Sequence, residues 1–228
     1  MKFVPDKTNR FHKRPHYQPK ELDYKCEEII TQHMQENCGK LILPIPTDEL
    51  TKLIEKDAYD LDLYADLSEF KGEVHGVTSF FPNQKPTVKI TNELSCGFSE
   101  HRLRTTLTHE YGHVKFHGPL WEAEFLYREQ IGNESKNALH GCNREIISNI
   151  QIHDWMEWQA NYASGAFLMP ITFVNETAGN FFNRYRVYPP FKAYSSMADE
   201  LVIKIASGFD VSKDAAMIRL IKLGYLTN

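Results

Sequence analysis

The chain is poor in cysteine, nearly balanced in charge and free of long hydrophobic runs, and each shortage removes a class of function. Cys26, Cys38, Cys96 and Cys142 are scattered over 228 residues with no CxxC pair. That spacing excludes a disulfide-stapled secreted scaffold and favours reduced thiols. Lys and Arg number 26 against 30 Asp and Glu, a formal net charge of −4, so no global field gathers nucleic acid or an anionic membrane. No stretch reaches the roughly 18 apolar residues that span a bilayer. The first residues, Met1-Lys2-Phe3-Val4-Pro5-Asp6, lack the apolar segment of a signal peptide, and the expected location is the cytoplasm. There is no internal repeat and no low-complexity segment.

What is present suits a folded protein: 42% apolar and 25% charged residues, enough for a real core. Residues 1–20 mix six Lys and Arg with Pro5, Pro15 and Pro19 and read as an extended, solvated basic arm. Helical spacing runs from Glu21 to about Asn37 and again from Thr47 to Ala58. Glu73–Phe81 and Pro86–Thr91 are rich in Val, Thr, Phe and Ile, which predicts two strands of a small antiparallel sheet. Helices are expected over about His101–His117, stopped by Gly118-Pro119, and Ile152–Met169, stopped by Pro170. A short helix is expected over Trp121–Gln130, and a helical hairpin spans Met197–Ser207 and Ser212–Leu223. The fold class is therefore α+β, with an arm at 1–20, a catalytic domain at 21–172 and a C-terminal helical segment at 173–228.

The chemistry concentrates in His109-Glu110-Tyr111-Gly112-His113. A spacing of four puts both imidazoles on one helix face, as metal ligands require. Glu110 lies about 100° around the helix, too far to share their direction but placed to act as general base on a bound water. Gly112 in a helix interior suggests that another element approaches closely there. A catalytic zinc wants three protein ligands, and Glu157 is the expected third. It opens a helix whose Ala160, Ala163, Ser164 and Ala166 permit tight packing. Asp154, one turn earlier, competes for that role. Asn161, on the Glu157 face, can accept a hydrogen bond from a ligating imidazole. His117 also sits four residues past His113, but Phe116 and Pro119 occupy the places where a third histidine ligand would need Gly and His. His117 is read instead as a cation near the helix carboxyl end. His140, Cys142 and His153 match no metal-finger spacing.

These motifs resemble the ImmA/IrrE family of metallo-endopeptidases, which pair an H-E-x-G-H helix with a later E-x-x-A-N-x-x-A segment ending in Leu-Met-Pro. Here those are Leu103–His117 and Glu157–Pro170, and Pro46–Ala58, Val74–Thr78, Val88–Asn92 and Leu201–Leu226 are similar to the family's flanking elements. The likeness covers about residues 22–228. It implies a zincin-like fold, one zinc ion on His109, His113 and Glu157, Glu110 as catalytic base, and cleavage of a partner helix-turn-helix repressor of the Cro/cI type, often on mobile genetic elements. The 43 residues from Val114 to Met156 are longer than the family's usual spacing. A protein substrate is expected to pair as a strand along an edge at Val74–Phe80. Manganese or iron could also suit such a site. Two other classes stay open: a DNA-binding regulator using the hairpin with Lys213, Arg219 and Lys222, and a zinc-bearing interaction module without proteolysis.

Overall fold

The computed structural model describes residues 1–70, 73–96, 99–132, 138–143 and 154–227, with the backbone alone at 138–143. Its elements in chain order are β1 (Lys2–Pro5), β2 (Lys13–His16), α1 (Pro19–Cys38), α2 (Thr47–Asp57), β3 (Asp60–Ala65), β4 (Val74–Phe81), β5 (Gln84–Thr91), α3 (Asn92–Ser95), α4 (Glu100–Gln130), β6 (Ala138–Asn143), α5 (Trp155–Leu168), α6 (Ile171–Tyr185), β7 (Phe191–Lys192), α7 (Ser196–Phe209), α8 (Lys213–Lys222) and β8 (Leu226–Thr227). The chain is α+β and mostly helical. Among the described residues no helix is long and apolar enough to cross a membrane.

The chain divides into two compact units. One comprises residues 1–22 and 47–164, the other 23–46 and 165–228. The first holds a four-stranded sheet in the order β3-β5-β4-β6. β4 pairs antiparallel with both β5 and β6, and six of its eight residues are buried, as expected for a central strand with both faces covered. The sheet is not wholly antiparallel, because β3 runs parallel to β5. β3 reads Asp-Leu-Asp-Leu-Tyr-Ala, and its two aspartates, poor strand formers, hide it from propensity while suiting a solvent-facing edge. Both edges of β4 are thus occupied, which overturns the expected substrate pairing along Val74–Phe80.

The amino terminus is not a solvated arm. β1 and β2 form an antiparallel hairpin organised by Asp6, whose carboxylate accepts hydrogen bonds from the Thr8 amide and hydroxyl, the Phe11 amide and the Trp155 indole. Phe11, 5% exposed, packs edge-on against Trp121 with ring centroids 4.6 Å apart. Isolated prolines and lysines conceal such a hairpin because it draws its stability from side-chain anchors rather than from strand patterning.

α4 does not end at Gly118-Pro119 but continues through Pro119 to Gln130. An interior proline costs a helix about 3 kcal/mol. Downstream, Trp121 and Phe125 are buried in a cluster with Phe11, Phe80, Trp155 and Met156, and each such side chain contributes about 1.5–3 kcal/mol, enough to carry the helix past the break.

In the second unit α6 joins the expected hairpin. Its Asn- and aromatic-rich sequence gives weak helix propensity, but Val174, Ala178 and Phe181 are buried on one stripe. α7 and α8 begin at Ser195 and Ser212, whose hydroxyls accept from the Ala198 and Ala215 amides. Arg219, 1% exposed, is ion-paired to Asp23 at 2.6 Å and donates to the Met169 carbonyl. Burial, and then the charge of Arg219, lower the Lys222 pKa to about 8. Of the three cations on the supposed reading helix only Lys213 is exposed. α8 therefore packs through Arg219, which takes that cation off any DNA-reading face.

Candidate metal centre

The site lies in the first unit, where α5 runs antiparallel to α4. Thr105 faces Ser164, His109 faces Asn161 and His117 faces Gln159. The two helices meet at Gly112, where an added Cβ would stand 3.1 Å from the Ala160 Cα and 3.4 Å from the Ala163 Cβ. The glycine in the motif thus serves backbone proximity, and its intrinsic cost of about 1 kcal/mol accompanies the approach of α5.

Across that contact His109, His113 and Glu157 converge, all buried, with their ligand atoms within 4.8 Å of one another. The two Nε2 atoms are 3.1 Å apart. Glu157 places Oε2 3.3 Å from His109 Nε2 and Oε1 3.3 Å from His113 Nε2. Donors bonded at about 2.0–2.1 Å to a tetrahedral ion stand about 3.3 Å apart, so each imidazole stands at a ligand-to-ligand distance from the other and from one oxygen of the Glu157 carboxylate. Their chemistry agrees. His109 Nδ1 lies 3.1 Å from Asn161 Oδ1, and an amide oxygen only accepts, so the proton sits on Nδ1 and the Nε2 lone pair points inward. Electron-rich atoms crowded this closely repel each other unless a shared proton or a metal cation lies among them. The group has the make-up to hold a metal ion.

Asp154, the competing ligand, is elsewhere: its Oδ1 accepts from Arg10 Nη2 at 2.6 Å. His117 is neither a ligand nor a helix-end cation. It lies mid-helix and is fully buried, with its ring edge-on to Trp155 at 5.5 Å, a setting that penalises charge. The His153 position and the side chains of His140 and Cys142 lie outside the described residues.

Glu110 points from α4 toward β4. It is fully buried, and its Oε2 accepts from the Thr78 hydroxyl at 2.5 Å. Gly76 makes room for it, since an added Cβ would meet Glu110 Oε1 at 2.7 Å and Cγ at 2.9 Å. Among the described residues Oε1 has no hydrogen-bond partner, and such orphaned buried acceptors are uncommon. Desolvation raises the Glu110 pKa, with Glu157 adding to the rise and His109, His113 and the Thr78 bond opposing it. Burial also acts to raise the Glu157 pKa, but His113 and His109 outweigh it and hold that carboxyl well below its usual range. Two carboxylates beside one imidazole pair are thus driven apart, one toward a proton carrier and one toward a permanent anion.

Sequence reasoning missed Gly76, Thr78 and Gln159. Thr78 and Gly76 sit two apart on β4, on the face toward α4, a signal visible only once that face is known. No protein-family model and no curated protein matches this chain.

Proposed function

We propose that this protein is a zinc-dependent endopeptidase that hydrolyses a peptide bond in a protein substrate. The observation that carries the reading is Glu110, a buried carboxyl with one oxygen held by Thr78 and the other without a hydrogen-bond partner among the described residues, beside a His-His-Glu group fit for a metal. His109, His113 and Glu157 would hold the ion, three protein ligands being the count that leaves a catalytic zinc one open position. Bound zinc supplies Lewis acidity for a water and for the scissile carbonyl.

The chain's own groups do the rest. Glu157, whose carboxyl is held well below its usual range, would offset the charge of the ion. Asn161 holds His109 with its Nε2 lone pair inward. The free oxygen of Glu110 takes a proton from the attacking water and returns it to the departing amine, so one carboxyl serves as base and then acid. Its raised pKa eases the first transfer, the uptake of the water's proton, and Thr78 fixes which oxygen does the work.

The resemblance of Leu103–His117 and Glu157–Pro170 to the ImmA/IrrE peptidases supports a helix-turn-helix repressor as the substrate class. The test is incubation of the purified, zinc-loaded protein with candidate repressors, beside the Glu110→Gln variant. The expected result is unchanged zinc content and cleavage reduced by about 10³-fold or more. A variant that cleaves as fast as the parent overturns the assignment, and a parent that holds zinc but cleaves none of the repressors tried returns the protein to the interaction-module class.

A further inference from the structure

One buried polar chain on the far side of His113 is not absorbed by this chemistry. His113 Nδ1 lies 3.0 Å from His117 Nδ1, His117 Nε2 lies 3.1 Å from Gln159 Oε1, and Gln159 Nε2 donates to the Pro15 carbonyl at 3.0 Å. His117 and Gln159 are 0% and 1% exposed, so water cannot substitute for any link.

The direction of the chain follows from its last member. A peptide carbonyl only accepts, so the Gln159 NH2 must face Pro15 and its oxygen must face His117. An amide oxygen also only accepts, so His117 carries its proton on Nε2. In a neutral imidazole, the form that burial favours, Nδ1 is then a lone pair, and the 3.0 Å contact becomes a hydrogen bond with the proton on His113 Nδ1. His113 Nε2 is left as a lone pair, aimed at His109 and Glu157. Four groups in series, starting from a backbone oxygen of β2, select the tautomer that a metal ligand needs.

We infer that His117 and Gln159 are positioning residues that lock His113 in its Nδ1-protonated form, and that the amino-terminal hairpin is a structural part of the metal centre through the Pro15 carbonyl. The hairpin is well placed for this. Asp6 ties it to the Trp155 indole, Arg10 ties it to Asp154, and both partners lie at the start of the helix that carries Glu157 and Gln159. On the His109 side the Asn161 amide plays the equivalent part, so the two imidazoles are steadied by different residues.

The inference rests on His113 being a metal ligand but not on proteolysis, and the test separates the two. Two-bond ¹⁵N–¹H correlation spectra of the metal-free full-length protein read the tautomers directly, with His113 expected as Nδ1–H and His117 as Nε2–H. Competition titration with zinc then compares Gln159→Leu and Asp6→Ala with the parent. Outer-sphere partners of ligating histidines are worth about 10- to 100-fold in metal affinity. Gln159→Leu should lose that much, Asp6→Ala about tenfold, and Gln159→Glu, which keeps an acceptor for His117, should recover most of the loss. An Nε2–H tautomer at His113 in the parent overturns the inference, as does parental zinc affinity in Gln159→Leu. Parental affinity in Asp6→Ala removes the hairpin from it. A parent that binds no zinc while showing the expected tautomers defeats the ligand reading instead.

Discussion

Gly76→Ala is the smallest change that should cripple the proposed peptidase activity while leaving the metal group intact. The added methyl would sit 2.7 Å from Glu110 Oε1, 2.9 Å from its Cγ and 2.9 Å from Thr106 Cγ2. Ordinary carbon–oxygen and carbon–carbon contacts begin near 3.5 Å, so the carboxylate must move by about 0.7 Å or β4 must retreat from α4. Neither motion is free, because Glu110 and Thr106 are fully buried and Thr78 holds the other oxygen. Overpacking of this kind costs about 1–3 kcal/mol, which for a chain of this size lowers the melting temperature by about 2–12 °C. Misplacing a reacting group by about 1 Å can cost 10²-fold in rate. The atoms nearest the new methyl belong to Glu110 and Thr106, not to His109, His113 or Glu157. Cleavage kinetics with a repressor substrate should therefore show kcat reduced about 100-fold with KM little changed, and zinc titration should give an affinity within about threefold of the parent. Full activity in the variant would refute the reasoning, since it would mean that the carboxylate had room to spare. Loss of zinc together with activity would refute it differently, by showing that β4 supports the ligands as well as the base.

Two further substitutions probe the helix contact and the second unit. Gly112→Ala improves helix propensity by about 1 kcal/mol yet forces a methyl to 3.1 Å from the Ala160 backbone. Zinc affinity should fall while the helix itself is favoured, and calorimetric titration showing parental affinity would contradict the close-contact argument. Lys222 has its folded pKa lowered from 10.5 to about 8, so the unfolded chain binds the extra proton between those values and stability should rise with pH across that window. Lys222→Met should raise the melting temperature at pH 7, with the gain shrinking as pH passes 8 toward 10.5. A gain that does not depend on pH would show that packing, not charge, is responsible.

The metal group was the most legible part of the chain, because its signal is local. A four-residue spacing fixes two imidazoles on one face whatever surrounds the helix, and Glu157 stood at the head of a run of small residues suited to a helix contact. Serines 195 and 212 marked helix starts for the same reason, a hydroxyl one turn from an orphan amide. What escaped depends on partners distant in the chain. Pro119 reads as a stop until Trp121 and Phe125 are seen to have a cluster to enter. Asp60 and Asp62 disguise a strand that exists because β5 offers it an edge. His117 drew notice by its spacing, but its role needs Gln159 and Pro15, 42 and 102 positions away, and no periodicity links them. The hairpin at residues 2–16 was hidden because Asp6 satisfies its turn with side-chain bonds that composition cannot reveal.

The contact at Gly112 has one more consequence. The distance between the donors of α4 and that of α5 is set by two backbones touching, not by the reach of flexible side chains. A calcium ion, which needs bonds of about 2.3–2.6 Å and six or more oxygens, could enter only by prising the helices apart against a contact with no slack. The missing side chain at position 112 thus acts as a caliper that sets how near α5 can bring its carboxylate to the two imidazoles of α4.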